Sequence, residues 1–319
     1  MIIECWQRKV SRVEVVSSLS TFATTGALAT VPVIKPIVEH GGIDPFAAYY
    51  EASRQPRVHG PHHAFANLTN DEAISPFFER FGFPYFHGRE ILLGEVLIEA
   101  KRLRLLMDSW EAFRAADLAG AQRHLGELAF ARSSHQAHWF YWPPSLHPDA
   151  SEEGREEVSI TRQSLEAQFT AACDRKMSLA SKEDLYRELV FATVHVCVSP
   201  LTQVEFAPEV EPQDNGISLR WSLRPVRFLG EEERDRELYV YEEPYVAAPY
   251  GLMFLLDLSA GNEARVCADP FCRQIFGAGR RNQMFCGQAC AHRTAVRKSR
   301  ERRTARRQIT DNRRPGEFR

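Results

Sequence analysis

The most regular apolar pattern in the chain lies between Arg89 and Ala116, where large apolar side chains recur at spacings of three and four. That spacing places them on one face of an α-helix, and a face this wide normally packs against a protein core. The pattern therefore predicts a core helix over residues 89–116. Its apolar positions are Ile91, Leu92, Val96, Ile98, Leu103, Leu106, Met107, Trp110 and Phe113.

Shorter stretches with the same period predict further helices. Two of these open with residues that cap helix N-termini, Asn70 before 71–81 and Ser181 before 182–198. A third begins at Pro249 and ends at Gly261, because proline suits the first turn and glycine the residue after the last turn. The remaining predicted helices cover 45–54, 118–131 and 159–173, and the polar, acidic stretch 145–157 is expected to be an exposed loop.

After Pro200 the apolar period changes to two. Segments 203–206 and 217–223 alternate, and the turn residues Asp214-Asn215-Gly216 between them predict a β-hairpin, with 226–229 and 238–241 as further candidate strands. Residues 1–45 carry no pattern that assigns them. We therefore expect an α+β fold, with a mainly helical body and a small antiparallel sheet.

The stretch from Val15 to Ile34 is uncharged, follows basic residues, and superficially resembles a signal peptide. Seven of its 20 residues are Ser or Thr, and burying that many hydroxyls in hydrocarbon is costly. We interpret it as a partly buried segment of a cytoplasmic protein without membrane contact. In that compartment thiols stay reduced, and clustered cysteines more often bind a metal than form disulfides.

Charge divides the chain into two unequal parts. From Arg265 to Arg319 there are 15 Lys and Arg against 4 Asp and Glu, a net charge of +11. The whole chain carries −2, so residues 1–264 carry −13. This asymmetry predicts a body over residues 1–262 and a basic module over 263–319 that meets a polyanion.

Four of the seven cysteines form two close pairs in this module. Four residues separate Cys267 from Cys272, thirteen follow, and three separate Cys286 from Cys290. Such spacing is typical of a structural Zn²⁺ site, in which four thiolates close the coordination sphere and leave no position for catalytic water. We expect one structural Zn²⁺, held by a knuckle, a hairpin and the start of a helix, with Phe276 and Phe285 covering it.

Behind Cys290 no Gly or Pro interrupts residues 291–312, and Arg, Lys and Ala dominate, which predicts a basic helix. Repeated cations on a helix contact the phosphates of a nucleic acid, and such binding weakens with salt. The expected contacts are Arg280, Arg281, Arg293, Arg297, Lys298, Arg300, Arg303 and Arg307.

The stretch Arg265-Val266-Cys267-Ala268-Asp269-Pro270-Phe271-Cys272, followed by Phe276, Arg280-Arg281, Phe285-Cys286 and Cys290, resembles the bacterial CGNR zinc-finger family. The resemblance implies a treble-clef-like finger that binds DNA in transcription regulation, behind a larger ABATE-type domain that senses a small-molecule ligand. The family's Cys-Gly-Asn-Arg motif is Cys290-Ala291-His292-Arg293 in this chain.

Our hypothesis is a DNA-binding transcription regulator. The alternatives are an RNA-binding protein, or an effector or adaptor whose basic tail serves for localisation or for docking a partner. Homo-oligomer formation stays open.

The sequence lacks three common catalytic motifs: a phosphate-binding glycine loop, a His-Glu-x-x-His sequence and a nucleophile elbow. We therefore do not expect an enzyme. Histidines cluster at 59–63 and 135–138, where we expect surface or core side chains because no carboxylate motif lies nearby in sequence.

Overall fold

The computed structural model describes most of the chain, and all that follows concerns this part. The described residues are 2–4, 7–21, 28–54, 60–83, 91–133, 137–141, 152–179, 181–213, 216–225, 245–262, 264–278 and 282–312.

Helices make up the larger part of the described structure. The α-helices are α1 (Pro45–Arg54), α2 (Pro61–Ala66), α3 (Ile74–Phe81), α4 (Leu93–Arg114), α5 (Leu118–Ser133), α6 (Ala137–Tyr141), α7 (Glu152–Met177), α8 (Lys182–Thr193), α9 (Ala248–Ser259) and α10 (Gln288–Asn312). A π-helical turn, Val194–Val198, continues α8.

The strands form three small sheets. They are β1 (Ile2–Glu4), β2 (Gln7–Thr21), β3 (Leu28–Ile43), β4 (Ile91–Leu92), β5 (Val204–Gln213), β6 (Gly216–Pro225), β7 (Ala264–Val266) and β8 (Ile275–Gly277). The sheet orders are β1-β6-β5, β2-β3-β4 and β7-β8, and all pairs are antiparallel except β1 with β6. The predicted mainly helical body with a small antiparallel sheet is confirmed in this coarse form.

Helix α4 is the centre of the core, as its apolar period predicts. Val96, Leu97 and Leu106 are at most 1% exposed, and the cluster around them includes side chains of α2, α3, α8 and α9. The helix starts later than predicted, because Ile91 and Leu92 pair with Ile34 and Val33 of β3. Two apolar residues that fit the helical period thus belong to a sheet.

The described parts of the uncharged stretch 15–34, residues 15–21 and 28–34, lie in the paired strands β2 and β3. Val33 and Ile34 are 4% and 0% exposed, which agrees with the expectation of a partly buried segment. None of the helices in the described part of the chain combines the length and apolar character needed to cross a membrane.

Predicted helix starts are confirmed by their caps. The Asn70 side chain accepts a hydrogen bond from the Ala73 N–H at 3.2 Å, and the Ser181 hydroxyl accepts one from the Asp184 N–H at 3.0 Å. Helix α9 ends as expected before Gly261. The φ angle of Gly261 is +72°, in the left-handed region that glycine adopts freely.

The loop prediction is wrong for residues 152–157, which form the first turns of α7. Acidic side chains near a helix N-terminus are stabilised by the helix dipole, so this acidic segment suits a helix start. The predicted hairpin is confirmed as β5–β6, whereas the candidate strands 226–229 and 238–241 lie outside the described residues.

Candidate functional site

The four cysteines of the basic module converge on one point. Their sulfur atoms all lie within 4.8 Å of one another. Cys272 Sγ is 3.6 Å from Cys286 Sγ, which is 3.5 Å from Cys290 Sγ. Tetrahedral Zn²⁺ with bonds of about 2.3 Å requires sulfur separations of about 3.8 Å. The donor set and its spacing therefore fit a divalent metal ion.

Local backbone structure explains how the first pair is positioned. Strands β7 and β8 pair with Val266 opposite Ile275, and the chain between them carries Cys267 and Cys272. The Cys267 N–H donates to the Gln274 carbonyl at 2.9 Å, which closes the turn around both sulfurs. The described hairpin thus encloses the first pair.

The second pair comes from the start of α10. Cys286 lies two residues before the helix and Cys290 in its first turn. A hydrogen bond of 2.8 Å from the Ala268 N–H to the Met284 carbonyl links this segment to the turn of the first pair. The helix direction is consequently set by the four-cysteine cluster.

Apolar side chains cover the sulfurs, as predicted. Phe276 is 1% exposed and packs with the buried Cys267 and Cys290, while the partly buried Phe285 lies against the same cluster. Burial, together with the neighbouring sulfurs, raises the pKa of the Cys286 thiol. A cation bound at this position would displace the Cys286 proton, because cysteine binds metals as the thiolate.

Arg293 forms hydrogen bonds at the edge of this cluster. Its Nε and Nη2 donate to Asp269 Oδ2 at 2.9 and 2.8 Å, and Nη2 also lies 3.1 Å from Cys290 Sγ. Asp269 is 1% exposed, so the ion pair closes one side of the cluster. The sequence predicted that Arg293 contacts nucleic acid. In the structure its guanidinium forms an ion pair with Asp269, and the side chain is 56% exposed. Asp269 itself was not singled out from the sequence.

The other predicted cations lie on or beside α10. Lys298, Arg300 and Arg303 are exposed. Arg297 is partly buried, 3.5 Å from Glu301. Arg307 belongs to the helix, but its side chain, like Arg280 and Arg281 as a whole, lies outside the described residues.

The sequence analysis assigned no role to Phe271. Its ring is 82% exposed at the turn between the first two cysteines, and the Arg297 guanidinium lies 5.8 Å from the ring centre. Exposed aromatic rings beside cations occur on surfaces that bind nucleic acids. The signal available in the sequence was a phenylalanine inside a metal-binding turn.

Hydrogen bonds hold the segment 264–290, which we call the finger, against the body of residues 1–262. The Glu111 carboxylate accepts from the Val266 N–H at 2.6 Å, next to the first metal ligand. Arg104 donates to the Arg273 carbonyl and, at 2.8 Å, to Asn67 Oδ1. Burial raises the pKa of Glu111 to about 7 in spite of the Val266 N–H. The boundary at 262–263 stays a prediction, and the two parts share a polar seam.

No protein-family model matches the chain, and comparisons with curated proteins and with solved structures find no similar protein. Assignment of a function therefore depends on the geometry described above.

Proposed function

We propose that the protein is a zinc-finger nucleic-acid-binding protein and that its polymer is DNA, in the role of a transcription regulator. The observation that carries the proposal is that the helix anchored by Cys290 continues as a 25-residue basic helix. This helix contains eight Arg and Lys residues and two acidic residues, Glu301 and Asp311.

The metal has an architectural role in this proposal. Four cysteine ligands leave no open position on Zn²⁺, so the ion supplies folding free energy and not chemistry. The order of parts, a hairpin with the first cysteine pair followed by a helix with the last ligand, supports a treble-clef-like finger. The ion then fixes the direction in which α10 leaves the body.

The basic face of α10 has the periodicity of a phosphate-binding surface. At about 100° per residue, Arg300, Arg303 and Arg307 lie within about 60° of one another around the helix axis. Arg297 follows on the same side, next to the exposed ring of Phe271. Cations would neutralise phosphates while the ring packs against a sugar or a thymine methyl group in the groove.

DNA is favoured over RNA because of the shape of the binding element. The major groove of B-form DNA admits an α-helix, whereas the deep, narrow major groove of A-form RNA does not. A single helix about 37 Å long, at 1.5 Å per residue, suits the former. The resemblance to CGNR fingers supports the same choice and adds a ligand-sensing role for residues 1–262.

A binding series tests the proposal. Fluorescence anisotropy of the full chain would compare labelled duplex DNA, duplex RNA and single-stranded DNA over several salt concentrations. We expect the tightest binding to duplex DNA, and a steep loss of affinity with salt because counterions are released.

The matched variants separate α10 from general charge effects. Arg300→Ala with Arg303→Ala should weaken binding, while Arg162→Ala with Arg187→Ala removes two exposed arginines of the body and should not. Preference for RNA would favour the RNA-binding alternative. Equal affinity of both double variants would reject the role of α10 and favour the adaptor.

A further inference from the structure

A second cluster of metal-ligating side chains lies in the body, away from the four cysteines. It consists of His62 and His63 on α2 and Asp257 on α9, with one ligating atom of each residue within 4.8 Å of the others. The two histidine side chains are almost fully buried, and the centres of their rings lie 3.9 Å apart. Asp257 is 195 residues from His62 in sequence, which is why no local motif predicted the cluster.

The carboxylate of this cluster is held in a fixed orientation. Asp257 Oδ2 lies 2.9 Å from His62 Nε2. Its other oxygen, Oδ1, accepts from the Tyr49 hydroxyl at 2.9 Å and from the Asn262 amide at 3.0 Å. Partners of this kind orient ligands in metal sites. Two polar groups thus support the carboxylate, and one oxygen faces the histidines.

His62 lacks the hydrogen bonding of an ordinary core histidine. A neutral, buried imidazole has one donor and one acceptor nitrogen, and both are normally satisfied. His62 uses Nε2 toward Asp257, but its Nδ1 is buried without a hydrogen-bond partner in the described structure. Nε2, on the carboxylate side of the ring, is the nitrogen that could share a metal ion with Asp257, since imidazole nitrogens are common metal ligands.

The cluster lies at the seam between the body and the finger. A Cβ added at Gly277 of β8 would come within 3.1 Å of His63 Cε1, so the finger strand closes directly over this ring. Asn67, one residue after α2, bonds to the neighbouring Ile275. The histidine pair therefore lies directly beneath strand β8.

We propose that His62, His63 and Asp257 bind a second divalent transition-metal ion. Two imidazoles with one carboxylate suit Zn²⁺, Co²⁺ or Ni²⁺ and disfavour Mg²⁺ and Ca²⁺, which require oxygen ligands. Binding displaces the proton shared by His62 Nε2 and Asp257 Oδ2. Three protein ligands leave a coordination position for water or another small ligand, in contrast to the closed four-cysteine site.

Metal titration of the purified full chain tests this proposal. With Zn²⁺ followed by native mass spectrometry, we expect two equivalents for the wild type and one for His63→Gln and for Asp257→Asn. The control His195→Gln changes an exposed histidine elsewhere and should retain two. One equivalent in the wild type, or two in both site variants, overturns the proposal.

Cobalt distinguishes the two sites. Co²⁺ bound by thiolates absorbs strongly, so the site variants should keep this absorption at full intensity while losing one equivalent. A fall of the thiolate absorption in the site variants would overturn the proposal, because the lost equivalent would then belong to the four-cysteine site. If the variants fail to fold, zinc X-ray absorption of the wild type decides: sulfur and nitrogen or oxygen ligands in equal number support the proposal, and sulfur alone overturns it.

Discussion

Asn67 and Ile275 exchange two hydrogen bonds: the Asn67 amide donates to the Ile275 carbonyl at 2.9 Å, and the Ile275 N–H donates to Asn67 Oδ1 at 2.9 Å. A side chain of the body thus pairs with a strand of the finger as a neighbouring strand would. Arg104 donates to the same Oδ1 at 2.8 Å. The finger is therefore docked on the body through a polar contact with specific geometry.

Replacing Asn67 by alanine should loosen this contact. The change removes both bonds to Ile275, and buried groups that lose their partners cost about 1–3 kcal/mol. We expect the free energy of unfolding in urea to fall by about 2 kcal/mol. Amide hydrogen exchange at Ile275 should become faster. Gln168→Ala, on the exposed side of α7, serves as the control, and equal stability of the two variants would contradict the docking role.

Replacing Cys286 by serine should release the metal of the finger. Three thiolates and a hydroxyl bind Zn²⁺ more weakly than four thiolates, and the start of α10 then loses its anchor. We expect one fewer Zn²⁺ per chain and loss of DNA binding. Cys173→Ser changes a partly exposed cysteine outside the cluster and should alter neither. Unchanged zinc content in the Cys286 variant would count against the four-cysteine site.

Arg293 and Arg300 should behave differently although both are arginines of α10. Arg293 bonds to Asp269 and Cys290 Sγ, so Arg293→Ala should weaken zinc binding by about 10- to 100-fold, as loss of a group that orients a ligand does. Arg300→Ala should leave zinc affinity unchanged and reduce the salt dependence of DNA binding by about one ion. Competition with a zinc chelator measures the first effect. Equal chelator resistance of both variants would show that the Asp269 pair does not support the metal.

Phe271→Ala should weaken nucleic-acid binding without changing its salt dependence. Burying a phenylalanine ring against the nucleic acid is worth about 1.5–3 kcal/mol and releases no counterions. We therefore expect a loss of affinity of about tenfold or more at every salt concentration, measured by anisotropy. Phe191→Ala removes a ring of the body that is 49% exposed and is the matched control. A change of slope in the Phe271 variant would instead indicate an indirect effect on the arginines.

Stability should fall as the pH rises toward neutrality, because burial and the nearby Glu99 raise the pKa of Glu95 from 4.5 to about 7. The native state then binds this proton more tightly than the unfolded chain, so the free energy of unfolding decreases between these two values. A shift of this size corresponds to at most about 3 kcal/mol. Burial raises the pKa of Glu111 in the same direction.

Urea unfolding at pH 5 and pH 8 measures this effect. Glu95→Gln should be more stable than the wild type at pH 8 and show a smaller difference between the two pH values. Glu166→Gln, on the exposed face of α7, should follow the wild type. An identical pH dependence in all three proteins would exclude Glu95 as the source.

Several elements were predictable because their signals are local. The period of three and four identified α4, and the caps at Asn70 and Ser181 marked helix starts. The β2–β3 hairpin was not predicted. Pro32 and Pro36 interrupt the pattern of β3, and proline argues against a strand that pairs on both sides. Pairing with β2 over the full length of the hairpin overrides that local preference.

The candidate metal ligands show the same division. The four-cysteine cluster and the basic helix were predictable from the sequence, because their residues are close along the chain and the chemistry of thiolates and arginines is specific. Only the tertiary structure brought Asp257 to His62 and Asn67 to Ile275, pairs that are 195 and 208 residues apart. Such contacts depend on how helices pack around a shared core, and no spacing along the chain records that packing.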